Sequence, residues 1–283
     1  FGRGANGSAG PFGPLEQAWL AQALPAARRG AVFSANAAIG FVGMALGALA
    51  AGAVQWLLAP LGDVLAYRPL FVLPLAGSVA ACALVAGLRE PAVARAPSQA
   101  LDHARRTAEN RLLVRLVLAN SLNGLGIGMV APLIAYWFAL RFGRGPGAIG
   151  PALAASFALG ALGSVLAARL VRRHGLVGPV VAMRGIGLAL LVAVPLVPAF
   201  APAALLYAVR AGFNQGTAGA RQALAVGLTR ERRGLAASLQ NVSIQLPRAV
   251  SPLLAGFMLH AGMLRAPFFV AAICCSSMAT CCE

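Results

Sequence analysis

The chain contains no lysine, only seven acidic residues and only three histidines among its 283 positions. Glu16 is the one acid inside an apolar run, and His103, His174 and His260 stand at or near the breaks between runs. A membrane-embedded enzyme needs nucleophile, acid and metal-ligand groups clustered at one depth. That material is missing, so an enzyme is not expected. Charged residues make up 11% of the chain and hydrophobic ones 59%, with a mean hydropathy of +0.78. A soluble helical core would show polar faces at a 3.6-residue period on most helices; these are absent. Cys274-Cys275 and Cys281-Cys282 would share a helix face, but ligands of other types are lacking nearby, so the pairs read as an ordinary tail. Cys82 reads as a small packing residue. Neither a metal nor a cofactor is expected.

What is present is apolar length. Nine stretches are long enough, or nearly so, to cross a bilayer at about 20 residues each. They lie near 1–22, 31–59, 68–88, 112–139, 147–168, 177–199, 202–227, 235–261 and 266–282. Glycine and proline recur inside them, which membrane helices tolerate. The fold class is therefore an all-α membrane protein of about nine transmembrane helices.

The formal charge of +16 would point to nucleic acid in a soluble protein, but its placement argues against that partner. All 23 basic residues are arginine, which reads as coding bias rather than chemistry. Most fall in alternate connections: Arg28 and Arg29; Arg89, Arg95, Arg105, Arg106, Arg111 and Arg115; Arg169, Arg172 and Arg173; Arg230, Arg232 and Arg233. The intervening connections hold only Arg68, Arg141, Arg144 and Arg265. By the positive-inside rule the first set is cytoplasmic. The partner implied is a lipid bilayer, and the location a multi-pass position in a membrane, taken as the bacterial inner membrane.

The chain also says nearly the same thing twice. Gly7-Ser8-Ala9-Gly10, Arg28-Arg29-Gly30, Ser34 and Ala51-Gly52 recur as Gly216-Thr217-Ala218-Gly219, Arg232-Arg233-Gly234, Ser238 and Ala255-Gly256. The later blocks sit at a slightly shorter offset than the first, so one short indel separates the copies. A hydrophobic helical unit repeated at this distance marks a membrane protein of two duplicated halves, an architecture of many carriers. The polar stretch 89–111 reads as a cytoplasmic linker, with an amphipathic helix around Asp102–Arg111. It divides the chain into 1–88, the remainder of an N-terminal lobe, and 112–283, a C-terminal lobe of six spans. Equivalent halves would place three further helices before Phe1; the chain opens on Phe1 rather than Met and shows no signal peptide.

Placed in that register, the residues resemble the major facilitator superfamily. Its fourth helix often carries an R-x-x-Q-G-x-G-A-type motif, and Arg3-Gly4-Ala5-Asn6-Gly7-Ser8-Ala9-Gly10 is similar to it, with Asn for Gln and the last two small residues exchanged. The resemblance gives Arg3 a role in proton transfer. The fifth helix of drug:proton antiporters carries G-x-x-x-G-P-x-x-G-G. The segment Gly43-Met44-Ala45-Leu46-Gly47-Ala48-Leu49-Ala50-Ala51-Gly52 keeps its spacing without the proline and one glycine. The stretch Arg169-Leu170-Val171-Arg172-Arg173-His174-Gly175 is similar to the superfamily's basic gating loop, without its acidic residue; a solvated charge cluster fits it too. The resemblance implies a 6+6 helical bundle, a small-molecule substrate, a coupling proton and an efflux antiporter.

Polar residues within the spans point the same way. Arg210, Asn214, Thr217 and Arg221 share one face of the span 202–227, with Gln215 adjacent; Ser238, Asn241, Gln245 and Arg248 share one face of 235–261. Such groups are costly against lipid and must face the bundle interior or water. The spans also offer Arg3, Asn6, Gln17, Asn36, Asn120 and Asn123. Asn36, Asn120 and Asn123 suit interhelical bonding as well as cavity lining. Arg221 and Arg248 can also snorkel to a surface. Glu16, about 20 Å along a helix from Arg3, suits a salt bridge with Arg28 or Arg29, coupling being the other reading. Gly43/Gly47 and Gly160/Gly163 read as helix-packing surfaces. The expectation is secondary transport of a small organic solute by alternating access, as proton-coupled export. The alternative is a non-transporting remnant or interaction protein derived from a transporter.

Overall fold

A computed structural model describes residues 26–57, 68–87, 103–175, 177–216 and 233–280. Among them no strand forms. With no water in a bilayer core to satisfy the backbone, apolar spans of this kind must bond internally, which leaves the helix as the available element. The helices are α1 (Ala26–Leu57), α2 (Pro69–Ala86), α3 (His103–Val130), α4 (Ile134–Phe142), α5 (Pro146–His174), α6 (Val177–Ala193), α7 (Phe200–Gly216), α8 (Arg233–His260) and α9 (Ala266–Thr280). A short 3-10 turn, Val194–Leu196, closes α6.

Five described segments are long and apolar enough to span a membrane: Ala35–Val54, Val117–Phe142, Pro146–Val171, Gly178–Leu196 and Asn241–His260. Pro69–Leu84 and Ala266–Ser276 are shorter apolar helices. The stretch 1–22 and the second half of 202–227 lie outside the described residues.

Three local differences from the sequence expectation have physical causes. Helix α3 already runs at His103, so the end of the polar stretch 89–111 continues into the span rather than forming a separate amphipathic helix. The stretch 112–139 is two helices, because Pro132 has no N–H and its ring opposes the carbonyl one turn back. Around it Ala131 N–H donates to the Ile127 carbonyl at 3.0 Å, and Trp137 N–H restarts the ladder on the Leu133 carbonyl at 2.8 Å. Third, Arg169, Arg172 and Arg173 belong to the last turns of α5 and not to a loop. Arginine is a good helix former, and α5 stops only at Gly175, whose φ of 82° suits glycine.

The packing follows glycine. In a bilayer the apolar effect does not drive helices together, so small residues that allow close approach decide which faces meet. Gly124 and Gly128 put α3 against α8, where a Cβ at Gly128 would lie 2.6 Å from the Arg248 carbonyl oxygen. Gly126 turns to α9, with Cys275 Sγ 2.8 Å from such a Cβ. Gly163 of α5 sits on the Gly212 backbone of α7. Gly150 of α5 meets α1, 2.8 Å from the Ala48 carbonyl oxygen and the Gly52 Cα by the same measure. Thus α1 is seated on α5, although the polar stretch 89–111 separates them in the sequence. Gly43 and Gly47 meet nothing within 4 Å.

An aromatic cluster closes the end of the bundle away from the arginine-rich connections. The Trp137 and Phe268 rings are 4.7 Å apart between centroids and those of Phe138 and Phe200 5.4 Å. Trp137 Nε1–H donates to the Leu264 carbonyl at 2.8 Å. Arg141 lies over Trp137 and Phe142, capping the cluster. Outside this core Phe71, Leu84, Leu246, Leu253 and Phe257 are exposed, the surface that lipid covers.

Candidate functional site

Arg210 is the residue that most needs an explanation. It stands ten residues into α7, about 15 Å along the axis at 1.5 Å per residue, near half of the ~30 Å hydrocarbon thickness. An arginine at such a depth costs about 3 kcal/mol on insertion scales. It is nonetheless only 7% exposed. Its guanidinium carbon lies 5.8 Å from the ring centroid of Tyr207, one turn back on the same helix.

Further polar residues lie on α7 and on α8. Asn214 and Gln215 on α7, and Asn241, Gln245 and Arg248 on α8, are all half-buried. Their apolar neighbours Leu205, Val242, Leu246 and Val250 are the exposed ones. The polar faces are thus withdrawn from the surface that lipid meets. Ser243 and Ser251 are buried on α8. On α3, Asn120 and Asn123 are 6% and 1% exposed.

Contacts tie these groups to one layer. Arg184 Nη2 on α6 donates to Asn123 Oδ1 at 3.0 Å. One turn on, a Cβ at Gly187 would touch the Asn214 Cβ at 3.7 Å, and one at Gly160 would lie 3.3 Å from Gln215 Oε1. Gly128 of α3 rests on the Arg248 backbone. Within the layer, Asn120 Nδ2, Asn123 Nδ2 and Arg210 Nε are buried donors without a hydrogen-bond partner, against one such acceptor, Gln215 Oε1. The Arg184 donor fixes the Asn123 amide, so its Nδ2 faces away from Arg184.

Not every candidate joins this layer. Asn36 is half-buried on α1 beside Ala37 and Phe41, which pack with Ala161 of α5. Arg169 and Arg173 are exposed at the end of α5. Arg3, Asn6 and Glu16 lie outside the described residues, as do Thr217 and Arg221. Sequence reasoning missed Arg184 and Tyr207. The signal for Arg184 was available, as the one charge within the apolar run 177–193. Tyr207 counts as apolar and is recognisable only beside Arg210.

The Asn123–Arg184 bond joins the side chains of α3 and α6. Such bonds in membranes contribute about 0.6 kcal/mol on average and up to roughly 1.7. We expect Asn123→Leu to destabilise at the upper end, by about 1.5 kcal/mol, because it leaves the Arg184 donor facing carbon. Unfolding by SDS titration from mixed micelles reads this; an unchanged midpoint would assign the pair no structural weight.

Apolar helices packed through glycine, with their polar groups turned inward, define a multi-pass integral membrane protein. A family model described as Major Facilitator Superfamily matches residues 116–281, more than half of the chain. The chain belongs to that superfamily, and its class is that of a membrane transporter. No curated protein matches it.

Proposed function

We propose that the protein is a secondary carrier that moves a small organic solute by alternating access, driven by protons in the direction of export, in a bacterial inner membrane. The observation that carries the reading is Arg210, a guanidinium 7% exposed at mid-depth, with half-buried polar side chains on its own helix and on α8. A membrane protein retains an ionisable group there when it serves a pathway or a site. The glycine contact of α1 with α5 gives a thin interface about which the two sides of the linker can rock. The proton as coupling ion rests on the likeness of Arg3–Gly10 and Gly43–Gly52 to the superfamily's motifs.

The test uses proteoliposomes of the full chain loaded with a bacterial metabolite extract. Acidifying the outside by one unit should drive efflux of the transported solute, and one pH unit sustains about a tenfold solute gradient at one proton per solute. Mass spectrometry of the external medium reads it. Efflux equal with and without the gradient removes proton coupling; no efflux beyond empty liposomes removes the carrier reading.

A further inference from the structure

We propose that the transported solute is a small organic anion, a carboxylate or phosphate ester, bound by Arg210 with the Asn120 and Asn123 amides as further donors and Arg248 as a second positive charge. This rests on the carrier reading above and names its substrate class. The first ground is an imbalance of hydrogen-bonding groups. Asn120 Nδ2, Asn123 Nδ2 and Arg210 Nε are buried donors that no protein acceptor meets. A ligand that satisfies them must be rich in acceptors.

The second ground is charge. Arg210 is buried on α7 and Arg248 half-buried on α8, so both helices carry a cation away from the exposed surface. The only acidic residue among the described ones is Glu109, in the first turns of α3 and on the linker side of the span. No carboxylate of the described spans is therefore available to neutralise the layer. A guanidinium presents a planar fork that carboxylate and phosphate match with two parallel bonds. A neutral sugar would bring as many donors as acceptors and leave the positive charge uncompensated in a low-dielectric setting. A cation would add repulsion.

The assignment also says why a loaded carrier would move more readily than an empty one. The empty site holds the Arg210 charge at mid-depth, which favours contact with water. An anion neutralises it and lowers the cost of occluding the site while the halves rock.

The test is thermal unfolding of the purified full chain in detergent. The anionic probes are inorganic phosphate, glycerol 3-phosphate and succinate at ionic strength matched with chloride, beside glucose as neutral probe and putrescine as cationic probe. At least one anionic probe should raise the midpoint by about 3–5 °C, the size expected of a saturated ligand on a chain of this length. Arg210→Gln should abolish that shift, Arg210→Lys should keep part of it, and Arg265→Gln, in an exposed connection, should leave it whole. If Arg210→Gln does not elute as a single species, Arg248→Gln and Arg210→Lys carry the comparison, and both should show a reduced shift. Three results overturn the proposal: no anionic probe shifts the midpoint, glucose or putrescine shifts it more, or the shift survives undiminished in the Arg210 variants. Anion-specific stabilisation without flux in the proteoliposomes sinks the carrier reading alone. Flux of a neutral or cationic solute sinks the anion assignment alone.

Discussion

An Arg210→Ala protein should insert into the membrane at wild-type levels and transport at no more than about a tenth of the wild-type rate at low solute concentration. The two halves of that expectation come from opposite effects of one side chain. For insertion, the guanidinium is a burden of about 3 kcal/mol, so its removal makes α7 a better membrane span. The same substitution takes the guanidinium off the Tyr207 ring, 5.8 Å away. A cation over an aromatic face contributes about 0.5–2 kcal/mol, which does not decide the fold. For transport, the loss is a hydrogen bond to a charged group, about 1.5–3 kcal/mol. At 1.4 kcal/mol per factor of ten that is roughly a 10- to 100-fold weaker affinity. The deficit should therefore shrink as solute concentration rises, whereas a misfolded carrier would be equally slow at every concentration. Flux in proteoliposomes measured against solute concentration, with the protein quantified in the membrane fraction, reads both halves. Wild-type flux from Arg210→Ala would remove Arg210 from the site.

The polar layer was partly legible in the sequence because bilayer chemistry leaves few places for charge. Arg210 with Asn214, and Asn241 with Gln245 and Arg248, fall on shared helix faces by spacing alone, and the structure keeps all five off the exposed surface. What spacing cannot supply is the partner across the helix boundary. Asn123 suits packing and cavity lining equally until Arg184 is placed 3.0 Å away on α6. The pairing depends on how α3 and α6 are juxtaposed, and no local pattern in either helix encodes that. The break at Pro132 was hidden for a different reason. Hydropathy measures burial and not backbone geometry, so 112–139 reads as one apolar run although its hydrogen-bond ladder restarts at Leu133. At the far end of α5 the error ran the other way. The polarity of Arg169 through Arg173 suggested a loop, but charge marks exposure to water and does not end a helix.

Glycine pairs show the same division, and they lead to the second large effect. By composition Gly43/Gly47 and Gly160/Gly163 are equivalent packing signals, yet Gly43 meets nothing within 4 Å while Gly163 sits on the Gly212 backbone. Gly163→Leu should therefore lower the stability of the bundle by about 3 kcal/mol, the upper range for overpacking a close contact. Gly43→Leu should change it by less than about 0.5 kcal/mol, as surface substitutions do. The clash at Gly163 is with a carbonyl group rather than the tip of a flexible side chain, so no rotamer change relieves it. The facing residue is already glycine, so trimming a neighbour cannot rescue the variant either. The two helices must separate, and with them the groups they hold: Gln215 rests on Gly160 one turn away, and Arg210 lies two residues before Gly212. SDS-titrated unfolding of both variants reads the difference. A Gly163→Leu midpoint that matches Gly43→Leu would mean that α5 and α7 do not meet through their backbones, and the layer built on that contact would have to be drawn again.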